Sequence, residues 1–230
     1  MDYKDNINYY KKNENMKFLG AGMLIVGLFL LWLAWDFWVY IIATVLVPVG
    51  LVMFIIFSGG RASESDIDEY VVRKCEGLEV YLAEDNKYRR RIIEHIEPRN
   101  VEGYSFRDGV MLKKAKDSSV RSSEYTKSIF YLLTDEIYIV RRTFSIVSDE
   151  VTNETFEIPY ADIKKMEITR ERKTKKFGSA SFLVKETLIH ITYGDGLEFV
   201  SPIHDDITSD AYLEQIEKLA NEYKQGVAEN

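Results

Sequence analysis

The chain has one cysteine, three histidines and four prolines among 230 residues. Each scarcity excludes something. Cys75 has no partner for an intrachain disulfide, in keeping with a reducing compartment. His95, His190 and His204 never fall four residues apart, and no second cysteine joins them, so no metal site is expected. Asp205 and Asp206 follow His204 in a stretch that reads as a loop entering a helix. There is no Gly-x-Ser-x-Gly elbow, no Walker-type loop and no dinucleotide glycine pattern. Asn153-Glu154-Thr155 spells a glycosylation triplet, which is never used on a cytoplasmic face. No catalytic residue, cofactor or metal is therefore read from the sequence, and the chain is expected not to be an enzyme.

Charge is the next scarcity. Residues 18–57 hold a single charged side chain, Asp36. Two passages of roughly 20 apolar residues are what ~30 Å of hydrocarbon requires. The expected crossings are residues 18–34 and 37–57, preceded by a polar tail, residues 1–17. Trp32, Trp35, Phe37, Trp38 and Tyr40 crowd the turn around Asp36, as aromatic rings do in a headgroup layer. Gly20, Gly27 and Ala34 recur at heptad spacing, as do Ala43 and Gly50. Small residues on one stripe let helix backbones approach, and these are expected to form the hairpin's own contact. Pro48 cannot donate to the carbonyl of Thr44, which predicts a bend at residues 44–48, with the Thr44 hydroxyl bonding back one turn. Lys4, Lys11, Lys12 and Lys17 precede the hairpin, Arg61, Arg73 and Lys74 follow it, and its tip has no basic residue. By the positive-inside rule both termini are cytoplasmic and the protein is a multi-pass protein of the inner membrane.

The tail's four lysines and three acids nearly cancel, and with Asp36 they cancel fully, so the net charge of −7 belongs to the residues beyond Ser58. An acidic body lacks the positive footprint of a nucleic-acid binder. Residues 58–100 read as a linker and an amphipathic connector helix ending at Pro98, with Ile67, Val71, Leu78, Leu82, Ile92 and Ile96 as its apolar series. Arg89, Arg90 and Arg91 lie within it, flanked by acids.

From residue 101 the texture is that of strands. Residues 104–106 and 110–112 flank Asp108-Gly109, and residues 113–124 read as a loop. Strands are expected at 129–133, 137–144, 155–158, 163–168, 182–193 and 197–200, with 148–153 a loop and Gly194-Asp195-Gly196 a tight turn. Tyr212, Ile216, Leu219 and Tyr223 mark one face of a closing helix, capped by Thr208, Ser209 and Asp210 and ended by Gly226. Between two strands, Arg170, Arg172, Lys173, Lys175 and Lys176 make a basic loop opposed by Glu171 alone. Near a bilayer such residues hold anionic lipid headgroups, at ~1 kcal/mol each.

The run Tyr131-Leu132-Leu133-Thr134-Asp135-Glu136-Ile137-Tyr138-Ile139-Val140-Arg141-Arg142 resembles the strand, Thr-Asp, strand signature of bacterial membrane-anchored pleckstrin-homology-like (PH-like) domain proteins. Glu157-Ile158-Pro159-Tyr160-Ala161-Asp162-Ile163 resembles the step that follows it there. The resemblance implies an α+β chain: a transmembrane helical hairpin, a helical connector, then, at residues 101–226, a PH-like antiparallel barrel or sandwich of about seven strands with a C-terminal amphipathic helix, and a tail at 227–230. It implies a non-enzymatic binding or scaffolding module for a protein partner, a second copy or anionic headgroups, and transfers no catalytic residue. The alternative is an accessory subunit of a membrane transporter, its Gly/Ala stripes packed on partner helices.

Overall fold

The computed structural model describes residues 3–11, 14–33, 36–83, 97–203 and 207–228. Ala34, Trp35, Arg89, Arg90, Arg91, Ile92, His95, Ile96, His204, Asp205 and Asp206 lie outside them. The chain is α+β and divides into two compact units, residues 1–66 and 67–230.

In the first unit, α2 (Glu14–Trp32) and α3 (Phe37–Ser58) contain apolar windows of 18 and 22 residues, long enough to cross a membrane. Only 11% of each window is buried, so neither helix is the core of a soluble fold. Asp36 is the N-cap of α3, accepting from the Trp38 amide at 3.4 Å, so the one charge in the apolar stretch satisfies an orphan donor. The helix runs on through Pro48, and the Thr44 hydroxyl donates to the Tyr40 carbonyl at 2.8 Å. The small residues form the seam: Ala43 is fully buried, and a Cβ on Gly50 would lie 2.6 Å from the Leu24 amide nitrogen and 2.8 Å from the Gly20 carbonyl. Gly22 faces away and meets nothing within 4 Å.

The polar tail is not unstructured. Residues Tyr3–Lys11 form α1, which returns to the exit of α3. Ala62 donates its amide to the Asp5 carbonyl at 3.1 Å, and the Asn8 amide donates to the Gly60 carbonyl at 2.6 Å. Tyr9 is fully buried there beneath Arg61, whose guanidinium sits 5.8 Å from the ring centroid.

Helix α4 (Glu64–Ala83) begins in the last residues of the first unit with a reciprocal cap and continues into the second: Asp66 donates its amide to Ser63 Oγ at 3.2 Å, and Ser63 donates its amide to Asp66 at 2.8 Å. These bonds hold the Asp66 carboxyl below its usual range. Nine strands follow among the described residues, rather than about seven. β1 (Arg99–Tyr104), β4 (Glu124–Leu132), β5 (Glu136–Ser145) and β6 (Val151–Pro159) form one antiparallel sheet in the order β1-β4-β5-β6. β7 (Ile163–Phe177), β8 (Ala180–Tyr193) and β9 (Leu197–Pro202) form a second. The two extra strands, β2 (Leu112–Lys114) and β3 (Val120–Ser122), pair where a loop was expected. The sheets do not close into a barrel among the described residues.

The four-stranded sheet is covered on both faces, which is why β4 and β5 are buried nearly throughout. On one face Leu78 of α4 packs on Ile129, Leu133, Tyr138 and Val140. On the other, Phe130, Leu132, Ile137 and Ile139 meet Ile189, Ile191 and Phe199 of the second sheet and Leu213, Ile216 and Ala220 of α5 (Ile207–Ala228). The turn at Gly194-Asp195-Gly196 is present, with both glycines at positive φ (+52° and +91°). Helix α5 starts early enough to place Thr208, Ser209 and Asp210 inside its first turn, and it continues past Gly226.

Two tests follow from this packing. Gly50→Val should push the seam apart at a cost of ~1–3 kcal/mol, whereas Gly22→Ala should be neutral, as read from thermal unfolding of the full chain in detergent. Tyr160 and Tyr212 bury hydroxyls that have no hydrogen-bond partner among the described residues. Tyr160→Phe should leave stability unchanged or raise it by up to ~1 kcal/mol, while Tyr160→Ala should cost ~3–5 kcal/mol.

Candidate functional site

The five basic residues do not lie in a loop. All belong to β7, paired residue for residue with β8: Arg170 with Thr187, Arg172 with Lys185, Lys173 with Val184, Lys175 with Phe182 and Lys176 with Ser181. β9 pairs only with Leu188 to Tyr193, so residues 170–187 form a two-stranded arm beyond it. Gly178, at φ +59°, makes the turn at the arm's end.

Strand alternation divides the five. Lys173 and Lys175 share a face with Glu171 and Glu186 and are spoken for. Lys173 pairs with Glu171 and lies 3.8 Å from Glu186, and Lys175 Nζ is 2.9 Å from Asp108. Hydrogen bonding and charge attraction lower the Glu171 and Asp108 carboxyls, and the bond to Glu171 raises the Lys173 ammonium. Arg170, Arg172 and Lys176 lie on the opposite face, all exposed, with Lys185 of β8 beside them and Leu183, 61% exposed, in their midst. That face of residues 170–187 carries no acid. The sequence reading missed Lys185 and Leu183. Folding residues 170–176 back on 181–187 about Gly178-Ser179 would have found them.

Two clefts adjoin the arm. One, of about 720 Å³, opens between the sheets and is lined by Arg107, Glu124, Arg141, Glu154, Lys173 and Glu186. Its cations are neutralised in place: Arg107 pairs with Glu124, and Arg141 with Glu154 at 2.7 Å. The other, of about 860 Å³, is bounded by α4, β1, β4 and β8, and has Leu183 and Lys185 on one wall and Asp68, Glu76 and Glu102 among its other lining residues. Cys75 lies within it, 5% exposed. Burial pushes its thiol up to about 12, and the neighbouring Glu102 carboxylate adds to the effect against the smaller pull of Lys127 and Arg142.

His190 lies on β8 opposite Glu167 and Val200, half-buried. Among the described residues no group of three or more His, Cys, Asp and Glu is placed to hold a metal ion. Compared with protein-family models, with curated proteins and with solved structures, the chain matches none.

A thiol with its pKa near 12 is almost wholly protonated at pH 9. Cys75 should therefore alkylate roughly two to three orders of magnitude more slowly than a free thiol there, and at the ordinary rate once denatured. The linkage has a definite sign. The unfolded thiol ionises near 9.0 and the folded one near 12, so its contribution is complete below pH 9 and is lost as pH rises towards 12. Tyr125, Tyr160 and Tyr212 are also shifted upward by burial and act in the same direction. Equilibrium unfolding followed from pH 8 to 11 should show falling stability, absent this behaviour in a Cys75→Ala chain only for the thiol's share.

Proposed function

We propose that the chain is a membrane-anchored, non-enzymatic binding protein. In this reading α2 and α3 are its anchor in the inner membrane, both termini lie in the cytoplasm, and the strand body is a PH-like module that binds a protein partner, a second copy of itself or anionic lipid headgroups. The observation that carries the reading is the contact of α1 with the residues leaving α3. Asp5 and Asn8 bond to Ala62 and Gly60, so the two ends of the apolar hairpin return to one side. A pair of antiparallel spans has that geometry, and a cleaved leader does not. The lysines of the tail and Arg61 favour the cytoplasm for that side. Seven strands in two main antiparallel sheets, with α5 packed into the core between them, support the PH-like assignment of the second unit.

The transporter-subunit alternative drew on the small-residue stripes. Gly20, Gly27, Ala43 and Gly50 are turned to the hairpin's own contact, which favours the binding-module reading over that alternative.

The test is one of topology. The full chain should stay with membranes through a carbonate wash. A reporter at the C-terminus should be active only if cytoplasmic, and Asp36→Cys should react with an impermeant thiol reagent from outside. Release by carbonate, or a C-terminal reporter on the outer side, overturns the reading.

A further inference from the structure

We infer that the outward face of the β7–β8 arm, built from Arg170, Arg172, Lys176 and Lys185 around Leu183, is a docking surface for an anionic membrane. The inference rests on the anchoring reading above and deepens it by naming the ligand and by dividing the basic run into residues that act and residues that do not.

Three observations carry it. First, the charge has one sign on one face. Four exposed cations lie on one face of residues 170–187, whose own acids, Glu171 and Glu186, are on the other face, in a chain whose net charge is −7; Lys185 alone among them borders a cleft with acids, Asp68, Glu76, Glu102 and Asp117. Arg172 and Lys185 are direct cross-strand partners, and like charges so placed destabilise the pair. An arrangement that weakens its own hairpin calls for an anionic counterpart. Second, the face is amphipathic in the way an interface requires. Leu183, 61% exposed, stands among the cations, with Thr174, Ser181 and Thr187 completing the surface. Aliphatic stems with charged ends suit the boundary between headgroups and acyl chains. Third, the chain itself supplies the bilayer. Only five residues separate Ser58, the end of α3, from Glu64, the start of α4. Five residues reach at most about 18 Å even when extended.

The other face serves as a built-in control. Lys173 and Lys175 are adjacent in sequence and equal in charge, but they are held by Glu171, Glu186 and Asp108. Docking by net charge would respond equally to losing either set. Docking by the face responds to one set alone. Leu183 and Lys185 also border the 860 Å³ cleft, so the surface extends from the arm towards its mouth.

The experiment uses the full chain in nanodiscs of phosphatidylcholine, with or without about one-third phosphatidylglycerol. A fluorophore sensitive to polarity is attached at Ser181→Cys on the outward face; Cys75 is buried and is replaced by Ala. The emission should shift to the blue only in discs with anionic lipid, and 0.5 M salt should reverse it. Each neutralisation among Arg172→Gln, Lys176→Gln and Lys185→Gln should lower the docked-to-free ratio about fivefold. Lys173→Gln with Lys175→Gln should leave the ratio unchanged. Leu183→Ser should lower it with the charges intact. The absence of a shift in anionic discs, a shift indifferent to anionic lipid, or an equal loss from the Lys173/Lys175 pair overturns the proposal. A shift that depends on protein concentration, through pairing of arms between copies, overturns it as well. Failure to incorporate into discs, or release by carbonate, instead marks failure of the anchoring reading beneath it.

Discussion

The strand body depends on a bridge between two sheets that share no backbone ladder. Arg141 of β5 is at its centre. Its guanidinium donates to Glu154 of β6 through two nitrogens, at 2.7 and 2.9 Å, and to the Val200 carbonyl of β9 at 2.8 Å. It lies over the rings of Phe156 and Phe199, at 4.7 and 5.4 Å from their centroids. Below it the buried hydroxyls of Ser128 and Ser201 meet at 2.9 Å, and Phe130 sets its ring edge-on to Phe199 at 5.6 Å. The ion pair alone would add little, since Glu154 keeps 42% of its side-chain exposure and water screens the attraction. The bond to Val200 matters more, because it ties one sheet to the backbone of the other. Apolar burial against α5 supplies the bulk of the stabilisation, and Arg141 fixes how the sheets meet.

That geometry explains why one sheet face has two characters along its length. Near the core, Met166, Ile168, Ile189 and Ile191 point towards α5 and the opposing sheet. Further out, the same alternation brings Arg170, Arg172, Leu183 and Lys185 to the same face, where all four are exposed. A competing account is that the cations guard bare strand edges, since among the described residues neither strand of the arm has a further ladder partner beyond Thr187, whose carbonyl accepts from the Ile203 amide at 3.0 Å, and Lys and Arg discourage edge-to-edge pairing. Edge protection is served by charge of either sign on either face. It gives no reason for a face without acids, nor for Arg172 placed opposite Lys185.

The hairpin was legible because two helices long and apolar enough to cross a bilayer mark the sequence plainly: one charge in forty residues, aromatic rings at the turn and glycines where backbones touch. The Thr134-Asp135-Glu136 and Gly194-Asp195-Gly196 turns were legible for a local reason, since their chemistry is sufficient in itself. The basic run was misread because a strand of alternating Arg, Glu, Lys and Thr has no apolar period. Its conformation is dictated by the register of β8, which lies across a turn. Strands β2 and β3 were missed because three residues are too few to show alternation. Helix α1 was missed because nine residues with a single aliphatic side chain, Ile7, carry weak helical information, and its order comes from packing on Gly60 and Arg61.

A net charge of −7 argues, on its face, against docking on an anionic surface. Distance decides otherwise. At physiological salt, interactions between exposed charges fade over about 8 Å, so a surface responds to the face turned towards it and not to the sum over the chain. Several of the acids that produce the negative total are already matched: Asp108 with Lys175, Glu154 with Arg141, Glu124 with Arg107 and, in the cleft that Lys185 borders, Asp68 with Arg121. The local excess on the arm, at Arg172, Lys176 and Lys185, has the opposite sign. On the docking proposed above, the acidic remainder would oppose approach to an anionic leaflet through other faces, and so turn a general attraction into an oriented one.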